Sequence, residues 1–485
     1  MLKMKIFILR SLFIGGVILA SILLVRAFDS RNLPDLQPWH SIVLNSEFTE
    51  SKSDQIDSLS DYLELEERVF QELDKSIYKN IGPEKQFLLS RYTSKSPVNP
   101  ERFPANWNRT FELSPPNPRG GVLMIHGLTD SPYSMRHLAR IFEEQGYYVL
   151  ALRMPGHGTI PNGLLHATWK DWMAATYLGA RHVRGKVQEA LPFYIVGYSN
   201  GGALAIKYMM DSLENEKLPT PDRAILLSPM LGVTFFARFS TWHKTLSWLP
   251  YFEKFKWLDV LPEYDPFKYN SFPKAAGEQS YLLTNAIHKQ IDQLVKSESI
   301  SSLPPMTTFQ SLVDATVLTS SIVDFLYSKL TPNKHELVLF DVNRLAEVKT
   351  FLYNQHDTLI DNLMQAENLP FAVSLMTNKS DNSREVVLKK KKINSQNIEI
   401  ETSELTLFWP EKVYSLSHVA IPFSSADLLY GPMGPNESNN YINLGTFAPR
   451  GEKKILNIPT EQLMRLRYNP FFDYMEKRIV NIINE

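Results

Sequence analysis

Along the chain, apolar and polar positions fall into alternating blocks of two kinds. Short apolar runs stand at Val122–Ile125, Tyr147–Leu152, Tyr194–Val196 and Ala224–Leu227, with further strand-like runs at Pro305–Ser311 and His335–Phe340. Runs of this length and character fit strands buried on both faces of a parallel sheet. Between them lie stretches with helical spacing, at 134–145, 168–190, the Ala-rich segment after Ser199, 277–299 and 319–330. Strands alternating with helices of this length predict a doubly wound, mostly parallel α/β sheet. Outside this block, Ile56, Leu59, Leu63, Phe70, Leu73 and Ile77 recur among acidic residues and predict one amphipathic helix over 56–80. Residues 92–119 hold Pro97, Pro100, Pro104, Pro115, Pro116 and Pro118 and read as an extended approach segment. A helix is expected near 344–366, β-like runs at 371–376 and 384–388, and helices at 459–467 and 471–483.

Two stretches break the alternation. Lys3, Lys5 and Arg10 precede an apolar run from Ser11 to Val25, closed by Arg26. As a helix this run reaches about 22 Å against a hydrocarbon core of about 30 Å, and snorkelling of Arg10 and Arg26 supplies the rest. The basic flank favours the N-terminus inside and the remaining chain outside the cytoplasm. The segment is therefore expected to be a single-pass N-terminal membrane anchor, with a cleaved signal peptide and a secreted or periplasmic chain as the alternative. The second stretch, 231–273, is rich in aromatic residues, from Phe235, Phe236, Phe239, Trp242 and Trp248 to Trp257, Tyr264, Phe267, Tyr269 and Phe272. These predict an insertion with its own core and an apolar face, the material of a lid.

The chain divides accordingly. Residues 1–28 are the membrane anchor or signal, and 29–117 a tether and helical extension. Residues 118–230 are the first part of the α/β core, 231–300 a cap or lid insertion, and 301–343 the second part of the core. Residues 344–412 are a further insertion, and 413–485 a histidine-bearing loop with C-terminal helices. At 485 residues this is ample for a large core, and with 51 basic against 52 acidic residues nothing points to nucleic acid. The absence of cysteine removes disulfides, thiolate catalysis and Cys-based zinc sites. No His-Glu-x-x-His helix or acid-rich loop implies a metal, and no cofactor is expected.

The chemistry gathers at Gly197-Tyr198-Ser199-Asn200-Gly201, where a strand turns sharply into a helix. Such a turn pushes the serine out at the top of the sheet and aims the free N–H groups of the helix at whatever it attacks. A serine hydroxyl needs a base and oxyanion donors, and in this architecture the parts follow in the order Ser, acid, His. Asp314, just past a strand, and His418, past the last strand, match that order. Asp341 ends the next strand and is the rival acid. Asp324 falls within a helix and Asp381 in a polar loop. The N–H groups of Asn200 and of Leu128, after His126-Gly127, are the candidate oxyanion donors.

His126-Gly127-Leu128-Thr129-Asp130-Ser131-Pro132, Ser134-Met135, Pro155-Gly156-His157-Gly158 and Gly197-Tyr198-Ser199-Asn200-Gly201-Gly202 together resemble the α/β-hydrolase superfamily, bacterial carboxylesterases and monoacylglycerol lipases above all. The resemblance covers 118–230 closely, and 303–343 and 413–425 more loosely. It implies an α/β-hydrolase fold, a Ser199–Asp314–His418 triad, no cofactor, and small-molecule or lipid esters with an acyl chain as substrates. A thioesterase, acyltransferase or peptidase on the same triad, or an anchored binding protein on a hydrolase fold, remain alternatives. The chain departs from the family in its N-terminal membrane segment, its aromatic lid and the long stretch before His418.

Overall fold

A strand that is apolar on both faces is stable only where helices cover it on both sides, and the runs read above meet that condition as neighbours in one sheet. The computed structural model describes residues 2–31, 34–82, 88–232, 250–314, 317–349, 351–352, 355–401, 406–432, 443–445, 451–452, 455–456 and 458–485. Its strands are β1 (Phe111–Leu113), β2 (Gly121–Ile125), β3 (Tyr148–Leu152), β4 (Phe193–Tyr198), β5 (Arg223–Leu227), β6 (Trp257–Asp259), β7 (Phe272–Pro273), β8 (Met306–Ser311), β9 (Glu336–Phe340), β10 (Ala372–Asn378), β11 (Val386–Lys391) and β12 (Ile398–Glu401). Ten of them form one sheet in the order β1-β3-β2-β4-β5-β8-β9-β10-β11-β12, and β6 pairs with β7 alone. From β3 through β10 every pair is parallel; β1, β11 and β12 run antiparallel at the two edges.

Alternation along each strand splits the core in two. Leu123, Ile125, Ile195 and Leu226 face the side of the helices Trp169–Lys186 and Asn200–Glu214, whereas Val122, Met124, Val196 and Ile225 face Arg136–Glu144 and Phe472–Asn484. The register sets Ile125 opposite Gly197, Tyr198 opposite Leu227 and Leu227 opposite Phe309. The C-terminal ends of β2, β4, β5 and β8 therefore finish side by side, and the loops that leave them share one edge of the sheet.

The stretch read as a second insertion, 344–412, extends this sheet through β10, β11 and β12. Its helical part is two pieces, Ala346–Lys349 and Gln355–Gln365. The expected helix at 459–467 is one turn, Thr460–Leu463. The polar stretch read as a tether is docked from Asp35 onward: Trp39, His40 and Phe48 are buried, and Glu47 pairs with the buried Arg153. Its sparse apolar residues act as single anchors, which no periodicity reveals. In the aromatic insertion, Trp257, Tyr264, Phe267 and Tyr269 are buried, so these rings are internal packing; Phe235, Phe236, Phe239, Trp242 and Trp248 lie outside the described residues.

The N-terminus forms a helix, Leu2–Arg31, with Phe7, Leu9, Leu12 and Phe13 exposed. Among the described residues no helix is long and apolar enough to cross a membrane.

Candidate active site

Ser199 stands between β4 and the helix Asn200–Glu214 with φ 53° and ψ −114°. A positive φ at a residue with a side chain is strained, and the surrounding structure holds it. The Ser199 N–H donates to Leu227 O at 2.8 Å, and Ser199 O accepts from Met230 at 3.0 Å. The helix can begin this close to the sheet because position 201 is glycine: a Cβ there would lie 2.1 Å from Ile125 O and 2.6 Å from His126 O.

The loop after β2 reaches the serine by a similar close approach. A Cβ on Gly127 would lie 3.3 Å from the Ser199 Cβ and 2.9 Å from the Tyr198 ring. His126 fixes the orientation of this loop. Its Nε2 accepts the Met154 N–H at 3.0 Å, which leaves Nδ1 as the donor to Gly127 O at 2.9 Å. Burial holds the imidazole far below its usual range, so it is neutral, as this tautomer requires. The Gly127 carbonyl and the Leu128 N–H belong to one trans peptide and point in opposite directions. By holding the carbonyl, His126 turns the Leu128 N–H the other way. The N–H groups of Leu128 and Asn200 have no acceptor among the described residues.

The acid and the base meet. His418 Nδ1 lies 3.0 Å from Asp314 Oδ1 and 2.9 Å from Oδ2. The turn after β8 orients Asp314, whose Oδ1 also accepts the Val317 N–H at 3.0 Å. His418 opens a short turn, His418–Ala420, and the Ser311 hydroxyl at the end of β8 donates to Leu416 O, so one strand end positions both groups. Ser199, Asp314 and His418 are each less than a tenth exposed. Tyr198, beside the serine, has its hydroxyl pushed well above the tyrosine range by burial first and then by the carboxylates of Asp130 and Asp314.

Asp341 is elsewhere engaged. It binds Arg344, with Nη2 at 2.9 Å, and accepts from the Thr377 hydroxyl at 2.6 Å. Asp381 pairs with Lys349 on the surface. Among the other histidines, His335 accepts from Met306, His157 faces Pro155 O, and His288 faces Leu231 O.

Sequence reasoning missed several buried polar residues around the site. Arg153, after β3, is held by Glu47 at 2.7 Å and Glu66 at 3.1 Å, and donates to His157 O at 2.8 Å, which ties the N-terminal extension to the Pro-Gly-His-Gly loop. Asp427 takes Arg136 and His137, and lies 3.1 Å from the Tyr133 hydroxyl. Asp130 has its carboxyl pushed up to about 7 by burial. Partners so far apart in the chain leave no local signal. Among the described residues no three His, Asp or Glu side chains group as metal ligands do.

Residues 116–317, less than half of the chain, match the family model described as "Serine aminopeptidase, S33" (Hydrolase_4). Over 86 residues the chain is 36% identical to the thermostable monoacylglycerol lipase of Bacillus sp. (strain H-257), covering 18% of this chain and 33% of that protein. It is 31% identical over 86 residues to a carboxylesterase of Bacillus subtilis (strain 168), covering 18% and 34%. These matches span about a third of the length of either relative. Among solved structures, the monoacylglycerol lipase of Paleococcus ferrophilus overlaps 48% of this chain and 88% of its own, at 16% identity and a TM-score of 0.36. In its motifs and in these matches the chain resembles the α/β-hydrolases, carboxylesterases and monoacylglycerol lipases among them.

Proposed function

We propose that this protein is a serine hydrolase that cleaves carboxylic esters of acyl chains through an acyl-enzyme. The observation that carries the reading is the Asp314–His418 pair at 2.9–3.0 Å, on the sheet edge that also bears the strained Ser199. In this mechanism His418 takes the Ser199 proton as the hydroxyl attacks the ester carbonyl. Asp314 holds the His418 tautomer and stabilises the imidazolium that forms. The Leu128 and Asn200 N–H groups receive the oxyanion, where donors already in place spare the reorganisation that water would need. His418 then protonates the leaving alcohol, and a water repeats the sequence to free the acid.

One relative is named a monoacylglycerol lipase and another a carboxylesterase, which supports acyl esters as the substrate class. The family description also names a peptidase, so amides belong in the test. Ester, thioester and amide substrates of one acyl chain are compared on the full chain and on Ser199→Ala. The reading expects esters to turn over fastest and the variant to lose about 10⁴- to 10⁶-fold. A small loss, or faster amide cleavage, contradicts it.

We infer further that the site works outside the cytoplasm, next to a membrane. The basic residues before Ser11 and the exposed apolar side chains of Leu2–Arg31 support an N-terminal anchor. The full chain is then expected to stay with the membrane pellet after alkaline carbonate extraction; release into the supernatant contradicts the anchor.

A further inference from the structure

Asp427 follows His418 in the chain, in a stretch that the proposed chemistry leaves without a role. Its carboxylate is buried and takes five donors. Two are N–H groups of its own turn, Leu429 at 2.8 Å and Tyr430 at 2.9 Å. The other three come from the chain just beyond the proposed oxyanion donor: the Tyr133 hydroxyl at 3.1 Å, His137 Nε2 at 3.1 Å and the Arg136 guanidinium. Burial opposes the charge, yet Arg136 and His137 hold the carboxyl well below the usual carboxylate range. A carboxylate offers about four lone-pair sites, so these donors leave it no freedom to turn.

Short turns carry both ends of this contact to the reacting groups. On one side, the Asp130 N–H donates to Gly127 O at 3.3 Å and the Ser134 N–H to Ser131 O at 3.2 Å. The chain from Leu128 to Tyr133 is thereby closed on itself, starting at the carbonyl that His126 holds. On the other side, the Ile421 N–H donates to His418 O at 3.2 Å, the Phe423 N–H to Ala420 O at 3.0 Å and the Asp427 N–H to Ser424 O at 3.0 Å. The Tyr430 hydroxyl donates to Asp265 at 2.6 Å, Asp265 accepts the Phe267 N–H at 3.0 Å, and Phe267 stacks on Tyr133 with centroids 4.2 Å apart, which closes the ring of contacts through the insertion.

Among the described residues, every hydrogen bond between 413–432 and 127–144 ends on Asp427. The segments it joins are about 290 positions apart in sequence. Packed rings alone would let them slide, whereas a hydrogen-bonded charge holds one geometry. A buried ion pair adds little stability over apolar packing of the same volume, so what it supplies here is register.

We propose that Asp427 is a positioning residue for the Ser199 reaction, fixing the Leu128 N–H relative to His418 so that oxyanion donor and base meet one ester carbonyl together. It touches neither the substrate nor the serine. The proposal rests on the serine-hydrolase reading above and deepens it.

The test uses the full-length protein and a nitrophenyl ester, with reactive Ser199 counted by fluorophosphonate titration so that kcat is expressed per site. A merely structural loss lowers the number of sites; misplacement lowers kcat at each. Asp427→Asn keeps the size and removes the charge, and is expected to lower kcat per site about 10- to 100-fold with KM within about threefold. Affinity for a trifluoromethyl ketone of the same acyl chain, whose adduct carries the oxyanion, is expected to fall by a similar factor. A variant with the native circular dichroism spectrum that no longer labels shows the same loss in full. Arg478→Gln breaks a buried pair with Glu336, 2.7 Å long, at the start of β9 and away from the site, and is expected to leave kcat per site unchanged. An unchanged kcat per site in Asp427→Asn overturns the proposal, as does a rise in KM alone or an equal fall in Arg478→Gln. If Asp427→Asn yields no folded protein, Tyr133→Phe decides: losing one donor is expected to lower kcat per site at least about threefold, and an unchanged value overturns the proposal. Ser199 labelled in the unaltered protein, with normal turnover in the variants, sinks the clamp and leaves the hydrolase standing. If the unaltered protein is not labelled, the hydrolase reading itself falls, and the clamp with it.

Discussion

Asp314 and Asp341 leave the ends of β8 and β9, neighbours in the sheet, yet their carboxylates meet different partners. Asp314 reaches His418, whereas Asp341 is closed off by Arg344 and Thr377. The two substitutions to asparagine should therefore separate. Asp314→Asn is expected to lower kcat about 10⁴-fold, because an amide no longer holds the imidazole in the working tautomer, with little change in melting temperature. Asp341→Asn is expected to keep the activity of the folded protein and to cost about 1–3 kcal/mol in urea denaturation, from charged hydrogen bonds lost in a buried place. The reverse pattern would make Asp341 the acid. Chain order and loop position were enough to rank Asp314 first, since both can be read from where the apolar runs end. The partner of each carboxylate was not legible, because it depends on turns such as the one that points Asp314 Oδ1 at the Val317 N–H.

At the scale of elements, the strand-turn-helix at Ser199 works because β4, the following helix and the end of β2 meet at glycine. Gly201→Ala puts a methyl group 2.1 Å from a backbone oxygen that has nowhere to retreat. We expect at least about 3 kcal/mol of lost stability, or failure to fold, measured by urea denaturation; a variant of unchanged stability would contradict the packing. The central strands were legible since an apolar run buried on both faces is a local signal. The N-terminal extension was legible only in its helix, Leu59–Leu73, which shows a periodic apolar face. The segment before it is held by single anchors, and Glu47 finds Arg153 across 106 positions of sequence. Breaking this cluster tests the docking: Glu66→Ala leaves the buried Arg153 short of a partner and is expected to cost about 3–5 kcal/mol. A loss below about 1 kcal/mol would mean the extension packs independently of the core.

At the scale of the whole molecule, buried histidines set the response to acid. Burial holds His40 down at about 3, His157 and His335 at about 4, and His126 well below its usual range. Each is neutral when folded and takes a proton near pH 6.5 when unfolded. The unfolded state thus binds more protons below that pH, and each histidine removes up to about 1.4 kcal/mol of stability per pH unit as pH falls toward its folded value. Asp130 and Glu263, both raised to about 7 by burial, act in the opposite sense between about pH 4 and 7, as do Asp259 and Glu476, also raised by burial; but burial lowers His137, His166 and His288 as well, so among the described residues the histidines outnumber these acids seven to four. Stability is expected to fall on acidification from pH 6.5 to 4, with His335→Gln giving a shallower slope in denaturation at stepped pH; a flat profile would mean that these imidazoles titrate normally in the folded chain. The same protein, folded at neutral pH, offers the most direct test of the central claim. Incubation with a fluorophosphonate, followed by digestion and mass measurement, should place one adduct on the Ser199 peptide, with none on Ser199→Ala. A folded protein whose Ser199 stays unmodified, or whose adduct persists in the variant, would contradict the assignment of Ser199 as the nucleophile.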